Sequence, residues 1–65
     1  MNKSASKIEI TEQMFRAIVL LTNEIYEVIE TESFTEYLYY INYMTISKRD
    51  NFLAGTTYYL TDMNL

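Results

Sequence analysis

Nothing in this chain can staple it. Its 65 residues include no cysteine and no histidine, so disulfides and Cys/His metal sites are out of reach. Whatever holds the fold must come from packed side chains, from self-association or from a partner. A chain below about 70–80 residues seldom builds a core with much to spare, which gives weight to the last two. Hydrophobic residues make up 49%, enough for a core and too many for a disordered tail. One small domain is expected over residues 1–65, with the polar stretch 1–7 as a flexible N-terminus.

The same absences bear on chemistry. Without histidine the chain lacks the side chain that titrates unaided near neutral pH. Serines and threonines are plentiful, but none has an evident base beside it. The single glycine, Gly55, allows neither a phosphate-cradling loop nor a calcium loop with its glycine turn. The expectation is a protein that is not an enzyme and carries no cofactor or metal. The longest fully apolar run, Ala17-Ile18-Val19-Leu20-Leu21, is far too short to span a bilayer, and the polar start has no signal-type apolar core. A cytoplasmic protein without membrane contact is expected. The mix of Ile, Asn, Tyr, Lys and Thr without Pro or Trp has the flavour of an AT-rich coding sequence and hints at a microbe, phage or mobile element.

One helix stands out. Met14, Ile18, Leu21, Ile25 and Val28 step by four, three, four and three, the spacing of one helical stripe. Phe15, Leu20, Tyr26 and Ile29 widen it. Thr11 suits an N-cap, and Glu12 falls in the first turn where the helix dipole favours negative charge. The pattern predicts a helix over about 11–31. The alternation Lys7-Ile8-Glu9-Ile10 ahead of it reads as a leading strand or as the approach to the helix. Residues 37–46 are aromatic and β-branched, Ser47-Lys48-Arg49-Asp50-Asn51 reads as a polar turn, and 52–61 form a second such run, together a β-hairpin. A helical reading of the second half stays open, because Ser33-Phe34-Thr35-Glu36 has capping-box spacing and Ser47-Lys48-Arg49-Asp50 a weaker form of it. The fold expected is α+β, one long helix packed on a small antiparallel sheet or hairpin, with a small all-α three-helix domain as the alternative. Gly55 followed by Thr56, Thr57, Tyr58 and Tyr59 is poor helix material and favours strands.

The stretch Asn51-Phe52-Leu53-Ala54-Gly55-Thr56-Thr57-Tyr58-Tyr59-Leu60 resembles the first inhibitory hairpin of the cystatins, a Gln-x-Val-x-Gly loop followed by Thr-x-Tyr-Tyr and an aliphatic residue. Ala54-Gly55-Thr56 and Tyr58-Tyr59-Leu60 match, while Asn51 stands for the family's Gln and Leu53 for its Val. The order of helix, aromatic strand and loop upstream is also similar. The resemblance implies a β-α-β-β half of that fold over roughly residues 8–65, without the glycine-containing N-terminal trunk and the second, Pro-Trp loop. It further implies a free sheet edge covered by a partner or by a second copy. Asn51, Phe52, Leu53, Ala54 and Gly55 would then form a wedge entering the cleft of a papain-type protease.

Two other features point to binding. Glu24, Glu27, Glu30, Glu32 and Glu36 fall within 13 residues with no Lys or Arg among them. On a helix, the first three would drift round one surface and form a docking strip for a basic partner, imitating nucleic-acid phosphates. The bland alternative is a solvated helix face. Seven tyrosines are more than so small a domain can bury. Tyr37, Tyr39, Tyr40 and Tyr43 in particular could face a partner or pair across strands. Direct nucleic-acid binding is not expected, since Lys48-Arg49 is the only basic pair near them and suits turn solubility. The functional expectation is a small acidic non-catalytic inhibitor or antagonist, phage-encoded in one version, that blocks a larger protein such as a nucleic-acid-binding one. The alternatives are a cystatin-like cysteine-protease inhibitor and a small regulatory or structural subunit glued by tyrosines. A homodimer or hetero-complex follows from the small core.

Overall fold

The helix begins at its local signal. A computed structural model describes residues 6–22, 25–41 and 44–62, and in it Thr11 Oγ1 accepts a hydrogen bond from the Met14 backbone N–H at 3.1 Å. That bond satisfies one of the N–H groups that a helix start leaves unpaired. Helix α1 runs over Glu12–Thr22 and stops there, nine residues short of Thr31. Beyond it come strands β2 (Glu27–Glu30), β3 (Phe34–Ile41), β4 (Met44–Asn51) and β5 (Gly55–Asp62), while β1 (Ser6–Ile10) precedes the helix. Lys7, expected in the N-terminal tail, is therefore already in a strand.

All five strands form one antiparallel sheet in the order β1-β5-β4-β3-β2. Strands β2 to β5 are a meander. The helix carries the chain from one edge of the sheet to the other, so the first strand pairs with the last, Ile8 opposite Leu60 and Ile10 opposite Tyr58.

The expected architecture is corrected on four points. Within the second half of the long helix lies a strand, Glu27–Glu30, in a segment, Ile25-Tyr26-Glu27-Val28-Ile29, rich in β-branched and aromatic residues. Its backbone bonds go to β3, with the Tyr26 N–H donating to the Leu38 carbonyl at 2.7 Å and Val28 opposite Tyr37. The apolar spacing of 25 and 28 fitted a helix only by coincidence of period. The hairpin is also misplaced. Residues 37–46 are not one strand, because the chain reverses between Ile41 and Met44, which face each other across β3 and β4. The polar cluster 47–51 lies inside β4 and not in a turn. The reversal that follows is Phe52-Leu53-Ala54, closed by Gly55 at φ 91°, a left-handed conformation that glycine adopts without steric cost. The all-α alternative falls with these findings, and so do both capping boxes, whose residues begin β3 and continue β4. Among the described residues the protein is mostly sheet with one short helix, and the β-α-β-β half implied by the cystatin resemblance is replaced by a six-element, five-stranded arrangement.

Among the described residues only one face of the sheet is covered. The helix presents Phe15, Ile18 and Val19 to Ile10, Tyr39, Ile41, Ile46, Tyr58 and Leu60. Phe15 sits at the centre, edge-on to Tyr39 at 5.6 Å and tilted against Tyr58 at 4.8 Å between ring centroids. The packed stripe is thus 15, 18, 19, rotated from the expected 14, 18, 21: Met14 and Leu21 are exposed. Within an 11-residue helix only the residues facing the sheet matter, and Ile25 and Val28, which helped define the other stripe, are not on it. Among the described residues Ile46 is the one fully buried large side chain.

Candidate functional site

The other face has no covering layer among the described residues, yet Thr45, Ser47 and Glu36 on it are buried. Cross-strand registers explain this. Ser47 lies between Leu38 and Tyr59, and Thr45 between Tyr40 and Thr61, so the short side chains of the central strand sit beside the longer Leu38, Tyr40 and Tyr59. Glu36 faces Arg49 directly; the guanidinium donates to Glu36 Oε1 at 3.3 Å and lies 4.1 Å from the Phe34 ring centroid. Arg49 Nε is buried without a hydrogen-bond partner. On the same face Tyr26 and Tyr40 stack with centroids 4.0 Å apart, and Lys7 Nζ lies 4.6 Å from the Tyr59 centroid.

These placements rearrange the expected binding residues. Glu27 and Glu30 lie three apart on a strand and therefore point to opposite faces, so no helical strip of carboxylates exists. Glu36 is withdrawn into its ion pair with Arg49. Tyr39 belongs to the core, and Tyr37 lies on the helix side of the sheet with Lys48 Nζ 5.8 Å from its ring. Tyr40 is exposed. Glu24 and Tyr43 lie outside the described residues. Lys48 and Arg49 are mid-strand, not at a loop tip. The Glu36–Arg49 pair and the Tyr26–Tyr40 stack escaped the sequence reading because both depend on register. The signal available was opposite charge at two positions of neighbouring apolar runs.

What the fold does bring together is one end of the molecule. The β2–β3 turn, residues 31–33, is organised by the Thr31 hydroxyl, which accepts from the N–H groups of Ser33 at 3.1 Å and Phe34 at 3.0 Å. The Phe52 N–H donates to the Ser33 carbonyl at 3.0 Å and ties this turn to the β4–β5 turn. Asn51 Nδ2 braces the latter on the Gly55 carbonyl at 3.3 Å, and the Thr56 hydroxyl donates to Asp50 Oδ1 at 2.8 Å. Between the turns lies a cleft of about 240 Å³ lined by Glu32, Ser33, Asn51, Phe52, Leu53 and Ala54. At its rim Leu53 is as exposed as in an extended chain, 102%, and Phe52 is 61% exposed. Exposed Glu30 and Glu32 flank it, and no Lys or Arg occurs anywhere between Arg16 and Lys48.

Two members of the expected acidic cluster, Glu30 and Glu32, thus share one surface with the hairpin turn. It offers two apolar side chains on a braced turn beside two carboxylates that have no ion-pair partner among the described residues. Among the described residues, no group of three or more Asp and Glu is placed to hold a metal ion, and no helix is long and apolar enough to cross a membrane. No protein-family model, curated protein or solved structure matches the chain.

Proposed function

We propose that this protein is a non-catalytic antagonist that docks its turn end onto a larger protein in the cytoplasm of a microbial or host cell. Phe52 and Leu53 enter an apolar depression on the partner, while Glu30 and Glu32 face a basic rim. A rim of that kind is typical of a nucleic-acid-binding surface, where carboxylates can stand in for phosphates. The observation that carries the reading is the Phe52–Ser33 hydrogen bond, which holds the apolar tip and the acidic turn in one frame. Leaving Phe52 and Leu53 in water is unfavourable, and a partner would relieve it.

The second reading, a cystatin-like wedge for a cysteine protease, is favoured by the full exposure of Leu53. One experiment separates the two. The immobilised protein is challenged with host lysate at low and high salt, beside variants carrying Glu30→Gln and Glu32→Gln together, or Leu53→Glu alone. The antagonist reading expects one partner lost in both variants and released by salt, because exposed charges are screened over about 8–10 Å. The wedge reading expects a partner indifferent to salt and to the Gln changes but lost with Leu53→Glu, together with inhibition of a purified papain-type protease. A partner retained by both variants refutes both readings.

A further inference from the structure

The sheet has two edges, and they differ in kind. Strand β2 is four residues long and carries exposed Glu27 and Glu30, the short, like-charged edge that discourages strand addition. Strand β1 is different. It ends the sheet on the other side, so one side of its backbone is unpaired among the described residues. Its side chains alternate Lys7, Ile8, Glu9, Ile10, with Lys7 and Glu9 on the uncovered face of the sheet and Ile8 and Ile10 on the helix face. Ile10 is buried, but Ile8 remains 54% exposed on the helix side.

We infer that β1 is a homodimer interface, pairing antiparallel with β1 of a second copy about a two-fold axis through Ile8. The charge pattern selects both the occupant and the register. An axis at Ile8 sets Lys7 of each copy opposite Glu9 of the other, two opposite-charge pairs from one strand, and sets the two Ile8 side chains face to face. Shifting the register by two residues in either direction sets Lys7 against Lys7 or Glu9 against Glu9, which repel. Opposite charges two residues apart make β1 self-complementary, as an isologous contact requires. The product is a continuous ten-stranded sheet whose two β2 edges, and the acidic turn end beside each, lie at its far ends, leaving the docking surface proposed above free on both copies. The inference does not depend on that function. A five-residue edge buries far less than a standard interface of about 1,600 Å², so the dimer is weak and concentration-dependent.

Sedimentation of the full chain across a concentration series tests this, with K7E, E9K and their equimolar mixture beside the wild type. Each single variant places like charges opposite one another at both positions and should weaken the dimer by roughly ten-fold or more. Mixed together, the two variants restore both opposite-charge pairs and should form a heterodimer of about wild-type affinity. Recovery in the mixture also shows that each variant is folded. A wild type that stays monomeric throughout overturns the inference. So do a dimer unmoved by the single changes, a mixture that stays monomeric, and growth beyond the dimer such as addition of β1 onto the β2 edge of a further copy.

Discussion

Replacing Phe15 by alanine should remove most of the stability of this protein, while replacing Leu21 should remove almost none. Both residues lie on α1 and both are apolar, but Phe15 is 6% exposed and Leu21 79%. Truncating Phe15 returns roughly 150 Å² of ring surface to the ledger, which at about 25 cal/mol per Å² amounts to about 4 kcal/mol. Two aromatic contacts are lost with it, to Tyr39 and Tyr58. Partial collapse of the helix onto the sheet recovers some of this, so a net loss of about 3–5 kcal/mol is expected. A domain of this length has roughly 3–10 kcal/mol in total, so Phe15→Ala should leave much of the population unfolded at room temperature. Leu21→Ala should cost less than about 0.5 kcal/mol. Urea titrations followed by far-UV circular dichroism and tyrosine fluorescence measure both, and the chain holds no tryptophan to obscure the latter. Equal losses for the two variants would place the packed stripe elsewhere. A Phe15→Ala loss below about 1 kcal/mol would mean that α1 is not clamped by this ring.

Three further outcomes are expected. Gly55→Ala meets no atom within 4 Å of the added methyl but forces a left-handed φ on an L-residue, so a loss of about 1–2 kcal/mol is expected in the same titration. Arg49→Ala leaves the Glu36 carboxylate buried without its pair and uncovers Phe34. About 1–3 kcal/mol should be lost, and a double-mutant cycle with Glu36→Gln should give a loss smaller than the sum of the two singles; strict additivity would show the pair to be uncoupled. Thr11→Ala removes the hydroxyl that caps the Met14 N–H and should cost about 1 kcal/mol, read as a lower urea midpoint at unchanged slope.

What the sequence determined by itself is local. Thr11 starts a helix because its hydroxyl reaches an N–H only three residues away, and Gly55 marks a reversal because it alone adopts a positive φ without strain. The alternation of Lys7-Ile8-Glu9-Ile10 is likewise a property of consecutive residues, and it emerges as a strand. The end of the helix was decided elsewhere. Residues 25–30 satisfy a helical period and a strand composition at once, and the choice falls to β3, which offers their backbone a row of hydrogen-bond partners. The run 47–51 looks like a turn because it is polar, but alternate residues of it, Ser47, Arg49 and Asn51, fall on the sheet face away from the helix, which accepts polar side chains mid-strand. Arg49 finds Glu36 there only through the β3–β4 register. The candidate site has the same origin. The residues of the acidic turn and the apolar tip were visible separately, some twenty positions apart, and only the meander, by laying Ser33 against Phe52, made them one surface.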